Sequence, residues 1–327
     1  MKILYIIIIL AAYITLASDL AHAFWIWTPR TQKLINPKYA VKDTPEQQYD
    51  WAMSLYESRD YNRASEEFLR LIANYENSKL APEAQFYAGK SYQKAGKYYP
   101  AFQNYQKVVD NYPYTKRVDE IIELEYELGE ILYNKNTGTL MGIELMADTE
   151  RAIEIFNKVI ENAPYSQFAD NAQFMIGLSY KKIQQYNEAI EAFQKLTQEY
   201  PTSDLVERAK YEAAQCMYFY SFKSDYDQEP TDEAIDEFKR YTMETRNKEL
   251  KREAEQTITL LKEKKAQSIF KSAEFYEKVK KYQSAVVYYK EIIKDYPDTS
   301  YAPLAKIRIE YINIMLEKKG GKKNEKN

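Results

Sequence analysis

The sequence predicts an all-α protein, an α-solenoid of about six stacked helix pairs followed by a C-terminal helix. The phrase "AIEAFQKLTQEYPTS" at 189–203 shares its plan with "AFQNYQKVVDNYPYT" at 101–115, "AIEIFNKVIENAPYS" at 152–166 and "AVVYYKEIIKDYPDT" at 285–299. Glycine (8) and proline (11) are scarce, so residues that break helices are few. Alanine and aromatic residues recur four residues apart, which places both on one helix face.

Residues 1–23 are predicted to be a secretory signal peptide, because Lys2 precedes an apolar run from Ile3 to Leu16 and Ala21-His22-Ala23 is a small-x-small cleavage site. The alternative is an uncleaved membrane anchor, although the run is shorter than the ~20 residues that span a bilayer. Residues 24–43, which begin Phe24-Trp25-Ile26-Trp27, are predicted to be extended, since β-branched and aromatic residues favour that conformation. We expect these four apolar side chains to lie on the array or on another subunit.

The composition excludes several kinds of chemistry. Without the signal peptide the chain has no histidine, because His22 is the only one, and Cys216 is the only cysteine. Histidine-dependent nucleophiles, histidine-ligated metals and an intramolecular disulfide are therefore excluded. Cys216 lies among apolar residues, which predicts a buried structural thiol. We expect no enzyme activity, cofactor or metal, and the net charge of −3 gives no reason to expect nucleic-acid binding.

A small residue and an aromatic ring recur in every predicted helix pair. Each second helix opens with an alanine and has a ring four residues later: Ala64 and Phe68, Ala101 and Tyr105, Ala152 and Phe156, Ala189 and Phe193, Ala234 and Phe238, Ala285 and Tyr289. Each first helix carries a small residue that allows close approach: Ala52, Gly89, Gly129, Gly177, Ala214 and Ala273. Polar turns such as "KAGKYY" join the helices of a pair, and prolines such as Pro113 end most of the second helices.

Helix pairs of this kind resemble the tetratricopeptide repeat, and the resemblance implies a right-handed superhelix. The predicted array spans 44–317, with units at about 44–80, 81–117, 118–168, 169–204, 205–250 and 264–300. The alanine spacings of 37, 51, 37, 45 and 51 residues indicate insertions, and the one at 247–265 is predicted to add a helix. Residues 318–327 are predicted to be a disordered basic tail.

Each first helix also carries an aromatic residue three positions before its small residue. The six are Tyr49, Phe86, Tyr126, Phe174, Tyr211 and Phe270. One interpretation is a ladder of rings lining a groove for an extended peptide or partner segment. The alternative, which helical spacing favours, is that the rings pack between neighbouring units. Both interpretations can hold for different rings.

The insertion "GTLMGIELM" in the third unit has more apolar residues than a solvated loop. They are Leu140, Met141, Ile143, Leu145 and Met146. Two interpretations stay open: the insertion covers the array, or it docks on a partner.

Three stretches resemble a known family: "TPEQQYDWAMSLYESRDYNRASEEFLRLIANYENSKLAPEAQFYAGKSYQKAGKY", "DTERAIEIFNKVIENAPYSQFADNAQ" and "AEFYEKVKKYQSAVVYYKEIIKDYPDTSYAPLAKIRI". The chain is similar to the BamD outer-membrane-protein assembly factors. The resemblance implies a periplasmic scaffold at the outer membrane that holds assembly subunits together and receives unfolded β-barrel proteins. Members of that family usually have a lipidated cysteine after the signal peptide and five repeats. This chain has Ala23-Phe24 there and six predicted units, so we expect indirect membrane association.

Two other functions compete with the assembly scaffold. One is a soluble periplasmic tetratricopeptide adaptor that coordinates cell-envelope or division processes. The other is an enzyme acting on cell-wall glycans, since a single glutamate acid needs no histidine. The enzyme is disfavoured because the repeats leave no separate catalytic domain.

Overall fold

The computed structural model describes residues 26–28, 33–35, 40–135, 143–223 and 229–324. These ranges hold thirteen α-helices and one short β-hairpin, so the predicted all-α class is confirmed. The antiparallel hairpin joins β1, Ile26–Thr28, to β2, Lys33–Ile35, and lies within the segment predicted to be extended. The expected signal peptide lies outside the described residues.

The chain divides into two compact parts, Met1–Ile121 and Ile122–Asn327. The first part contains α1 to α4 and the start of α5: Pro45–Glu57, Tyr61–Asn74, Ala81–Lys94, Tyr98–Asn111 and Val118–Asn134. From α1 to α4, each helix packs on the next. Thr44 caps α1 by accepting a hydrogen bond from the Gln47 backbone amide, and Asp60 caps α2 in the same way.

The second part contains the rest of α5 and the helices α6 to α13. Their bounds are Ile143–Asn162, Ala169–Lys182, Tyr186–Glu199, Val206–Lys223, Glu229–Glu244, Lys248–Lys278, Tyr282–Asp295 and Tyr301–Asn324. From α6 to α13, each helix packs on the next, as expected for a solenoid of helix pairs. No helix in the described ranges is long and apolar enough to cross a membrane.

The turns between paired helices share one backbone conformation. Arg59, Gly96, Gln184 and Lys280 have φ angles of 65°, 74°, 61° and 64°, and each lies between the first and second helix of its unit. The left-handed conformation lets the chain reverse within three residues. Only Gly96 adopts it without a steric cost from a β-carbon.

Two helix ends differ from the bounds expected from the sequence. Residues 248–265 are helical, as predicted, but they form part of α11, which runs without a break for 31 residues and has no proline or glycine to interrupt it. Asn247 caps its start by accepting hydrogen bonds from the amides of Glu249 and Leu250. α13 continues past residue 318 to Asn324, and the disorder of the basic tail stays a prediction.

Candidate partner-binding face of the first helices

The small residue and the ring of each unit fit together as the sequence predicts. A β-carbon placed on Gly89 would lie 2.7 Å from Tyr105 Cδ1, and one on Gly129 would lie 2.6 Å from Phe156 Cε1. Both distances are below the 3.0 Å that β-carbons in proteins respect. The second-helix rings are fully buried in all six units. In these two units the ring therefore sets the spacing of the helix pair.

All six rings predicted for the groove contact the buried second-helix ring of their own unit. The centroid distances are 5.6 Å for Tyr49–Phe68, 5.7 Å for Phe86–Tyr105, 5.7 Å for Tyr126–Phe156, 5.5 Å for Phe174–Phe193, 6.2 Å for Tyr211–Phe238 and 5.2 Å for Phe270–Tyr289. Some of the six also reach the following unit, as in the contact of 6.3 Å between Tyr49 and Tyr87. The contacts between units are those of the second interpretation, whereas the contacts within a unit were not predicted. A role in binding stays a prediction.

The exposure of the six rings differs. Phe86 and Tyr211 are buried, so the surfaces of these two rings contact other residues of the chain. The other four are half-buried: Tyr49, Tyr126, Phe174 and Phe270. The predicted groove contact therefore applies best to these four.

The tyrosine hydroxyls on this face remain neutral hydrogen-bonding groups. Tyr211 donates to Glu253 Oε2 at 2.8 Å and accepts from the Gln215 amide nitrogen at 2.8 Å. Burial, with the Glu253 carboxylate, raises the pKa of Tyr211 to about 12. Burial, together with the nearby Glu83 carboxylate, also raises the pKa of Tyr49 well above its usual value. Neither group supplies an acid or a base near neutral pH.

Arg117 is held by carboxylates of the first compact part. Its guanidinium meets Glu83 in a bidentate pair at 2.8 and 2.5 Å and contacts Glu120 at 2.5 Å. It also lies 4.2 Å from the centroid of Phe86. Hydrogen bonding to Glu83 raises the pKa of Arg117, so its charge is permanent but already neutralised. This arginine stabilises neighbouring helices and is not free to bind an anion.

A similar pair lies in the second compact part. Lys181 Nζ contacts Glu212 at 2.5 Å and Gln215 Oε1 at 2.7 Å. Lys182 donates to the Tyr133 carbonyl and lies 4.7 Å from the Tyr133 ring centroid. Burial lowers the pKa of Lys182. Lys181 and Lys182 are thus engaged by the protein itself.

The predicted docking insertion falls largely outside what the structure describes. Leu140 and Met141 are not among the described residues. Ile143, Leu145 and Met146 lie in the first turns of α6, and only their backbone is described. The docking role stays a prediction.

Within the described residues, no group of three or more His, Cys, Asp or Glu side chains could hold a metal ion. Cys216 is fully buried against Phe193 and Ala213 in the core, as predicted, and burial raises the pKa of its thiol to about 12. That thiol is therefore protonated and unreactive in the folded chain.

Sequence analysis missed one part of this face. "YAPLA" at 301–305 repeats "LAPEA" at 80–84, which makes α13 a further first helix. Its residues Leu304, Ile307, Tyr311 and Ile314 then correspond to Glu83, Phe86, Lys90 and Gln93 of the second unit, and all four are exposed. Glu310 takes the place of the small residue. The alanine and proline shared by the two stretches are the sequence feature from which this further first helix could have been predicted.

Comparison with known proteins identifies the repeats and a family. A tetratricopeptide-repeat model matches residues 171–203. The YfiO model, described as an outer membrane lipoprotein, matches residues 41–183 and 218–326, which is more than half of the chain. No match was found among the curated proteins.

Several solved structures are similar at low sequence identity. A thermophilic tetratricopeptide protein of Thermus thermophilus is 16% identical, with a TM-score of 0.32 over 66% of this chain and 99% of that one. The C-terminal part of a repeat protein from Cytophaga hutchinsonii is 17% identical, with a TM-score of 0.33 over 80% and 88%. MamA from Desulfovibrio magneticus is 17% identical, with a TM-score of 0.30 over 62% and 96%.

Proposed function

The chain belongs to the YfiO family of outer membrane lipoproteins, and we propose that it is a periplasmic scaffold of the machinery that assembles β-barrel proteins in the outer membrane. The observation that carries this proposal is the family match, which extends over both compact parts of the chain. The partners would be other assembly subunits and unfolded segments of β-barrel proteins.

The structure supports a binding role over a catalytic one. In the second compact part, the first-helix face offers half-buried rings, neutral hydroxyls and ion pairs that are satisfied within the protein. Such a surface suits apolar side chains of a protein segment, with hydrogen bonds fixing its position. Cys216 is buried with a pKa raised to about 12, which does not suit nucleophilic attack.

Retention at the membrane would run through partner proteins. Cys216 is the only cysteine in the sequence, and it is buried in the core of the repeats, where a lipid could not be attached without unfolding. A lipid-modified cysteine is therefore not the proposed anchor of this chain.

Affinity purification of the tagged chain from detergent-solubilised envelopes tests the proposal. We expect an integral outer-membrane β-barrel subunit and incompletely folded barrel proteins to be recovered. Recovery of cell-division proteins instead would favour the alternative, a soluble envelope adaptor. Recovery of neither class would contradict a scaffold of either kind.

A further inference from the structure

The last helix, α13, is apolar on two opposite sides. Its inner side, with Ala302, Ala305 and Ile312, is buried against α11 and α12. Its outer side carries an apolar stripe, which we define as Leu304, Ile307, Tyr311 and Ile314, and these side chains are 46%, 60%, 49% and 50% exposed. A terminal helix of a solenoid normally presents a polar outer face. Among the described residues, nothing covers this stripe.

The direction of the stripe favours a helical occupant. The four residues follow the spacing i, i+3, i+7, i+10, which is the seam of a coiled coil, and cover ~15 Å along one helix. A peptide that crossed several first helices would need apolar residues at the same positions of α11. Those positions hold Gln267, Glu274 and Glu277 beside Phe270. The stripe therefore suits a helix lying along α13.

The charges around the stripe favour a basic occupant. Glu310 and Glu317 are exposed and lie seven residues apart along one edge of the stripe. Glu274 of α11 is also exposed on the first-helix face. Arg308, at the other edge, is already paired with Glu277 at 2.5 Å. Lysine or arginine residues flanking an apolar helix would meet these exposed glutamates.

The same charges argue against a second copy of this chain. In an antiparallel pair of α13 helices, the edge with Glu310 and Glu317 would face its own counterpart, which is repulsive. In a parallel pair, the next position of the same spacing would place Lys318 of one copy against Lys318 of the other, which is also repulsive. We propose that the stripe on α13 binds an amphipathic α-helix of a partner protein, with an apolar seam and basic flanks. This deepens the proposed scaffold function by naming the class of partner.

Binding of designed peptides to the full mature chain tests the proposal. The probes are two helical peptides of about three heptads with the same leucine seam, one flanked by lysine and one by glutamate. In fluorescence anisotropy we expect the lysine peptide to bind at least about tenfold more tightly than the glutamate peptide. Ile307→Glu should weaken that binding by at least about tenfold, since a central apolar anchor is lost.

Two variants sharpen this measurement. Val287→Glu introduces the same charge at a residue that is 63% exposed on α12, outside the stripe, and should leave binding unchanged. The double change Glu310→Lys, Glu317→Lys should reverse the preference between the two peptides. The proposal is overturned if neither peptide binds, if the glutamate peptide binds better to the unaltered chain, or if Ile307→Glu and Val287→Glu behave alike.

Photo-crosslinking in cells identifies the natural occupant. A photoreactive residue in place of Ile307 should crosslink to a helical segment with lysine or arginine beside an apolar seam, and the segment is read by mass spectrometry. The same residue in place of Val287 is the control. Crosslinking to α13 of another copy, or to an extended barrel segment, would overturn the proposal.

The same variants separate this inference from the scaffold function. If the unaltered chain recovers assembly subunits and Ile307→Glu recovers the same set at the same yield, the inference fails and the scaffold stands. If the unaltered chain recovers no assembly subunit, the scaffold fails, whatever the peptides do.

Discussion

The ring of Phe193 occupies the space in which a side chain at position 177 would begin. A β-carbon placed on Gly177 would lie 2.5 Å from Phe193 Cε1, and the ring itself is fully buried between α7 and α8. The ring belongs to a packed core that also contains Leu196 and Ala209, so it has little room to move.

We therefore expect Gly177→Leu to destabilise the fourth unit by overpacking. The free energy of unfolding should fall by about 1–3 kcal/mol in chemical denaturation. Gln194→Leu, which places the same side chain at an exposed position of α8, is the matched control and should change it by less than about 0.5 kcal/mol. An unchanged denaturation midpoint for Gly177→Leu would contradict the register of the repeats.

The turns between paired helices predict that opposite substitutions at two equivalent positions change the free energy of unfolding in opposite directions. Gln184→Gly should raise the free energy of unfolding by up to about 1 kcal/mol, because glycine adopts its φ of 61° without steric cost. Gly96→Ala, at a φ of 74°, should lower it by a similar amount. Denaturation of both variants measures this. Two changes of the same sign would show that the turns do not share one conformation in solution.

Local chemistry explains why the helix pairs could be predicted. The contact between Gly177 and Phe193 depends on two residues 16 positions apart, and the turn between them has a recognisable composition. The length of α11 was not predicted, because the repeat period suggested that one helix ends and another begins there, whereas this stretch contains no proline or glycine that would end a helix. The stripe on α13 was missed for another reason: whether Ile307 is exposed depends on the absence of a covering helix among the described residues. Sequence periodicity identifies an apolar face but does not say what lies on it.

Glu207 gives a prediction about pH. Its carboxylate accepts hydrogen bonds from the Thr245 hydroxyl and from the backbone amides of Arg246 and Asn247, and the Thr245 contact is the main cause that lowers the pKa of Glu207. A lowered pKa stabilises the fold at pH values above the ordinary glutamate value of 4.5, and this contribution is lost as the pH falls through the folded pKa.

Glu207→Gln should therefore lower the free energy of unfolding near pH 7 by about 0.5–1 kcal/mol, as for a lost side-chain cap. The difference from the unaltered chain should shrink as the pH falls below 4.5. Thermal unfolding between pH 3 and pH 7 measures it, with Glu191→Gln on the exposed face of α8 as the control. A difference that stays constant with pH would rule out the proposed hydrogen-bonded carboxylate.

The insertion in the third unit is predicted to contribute to partner binding. Because α6 begins at Ile143, a deletion that spares this helix should remove only residues 137–142. We expect such a deletion to reduce the recovery of partners from envelopes while the helical circular dichroism stays the same. If recovery is unchanged and the chain unfolds more easily, the insertion covers the array and does not dock.

The N-terminal segment provides the last prediction. Trp27, in β1, is 56% exposed, and the sequence places Phe24, Trp25 and Ile26 beside it. Tryptophan is favoured at membrane interfaces, but four side chains bury less apolar surface than a stable anchor generally needs. We therefore expect these residues to lie on the array or on a partner subunit. A purified chain that begins at Phe24, and that salt or carbonate washes release from the envelope, would agree with association through partners. A retained Met1, or release by detergent alone when no partner is present, would show direct anchoring, because only an inserted apolar segment resists such washes.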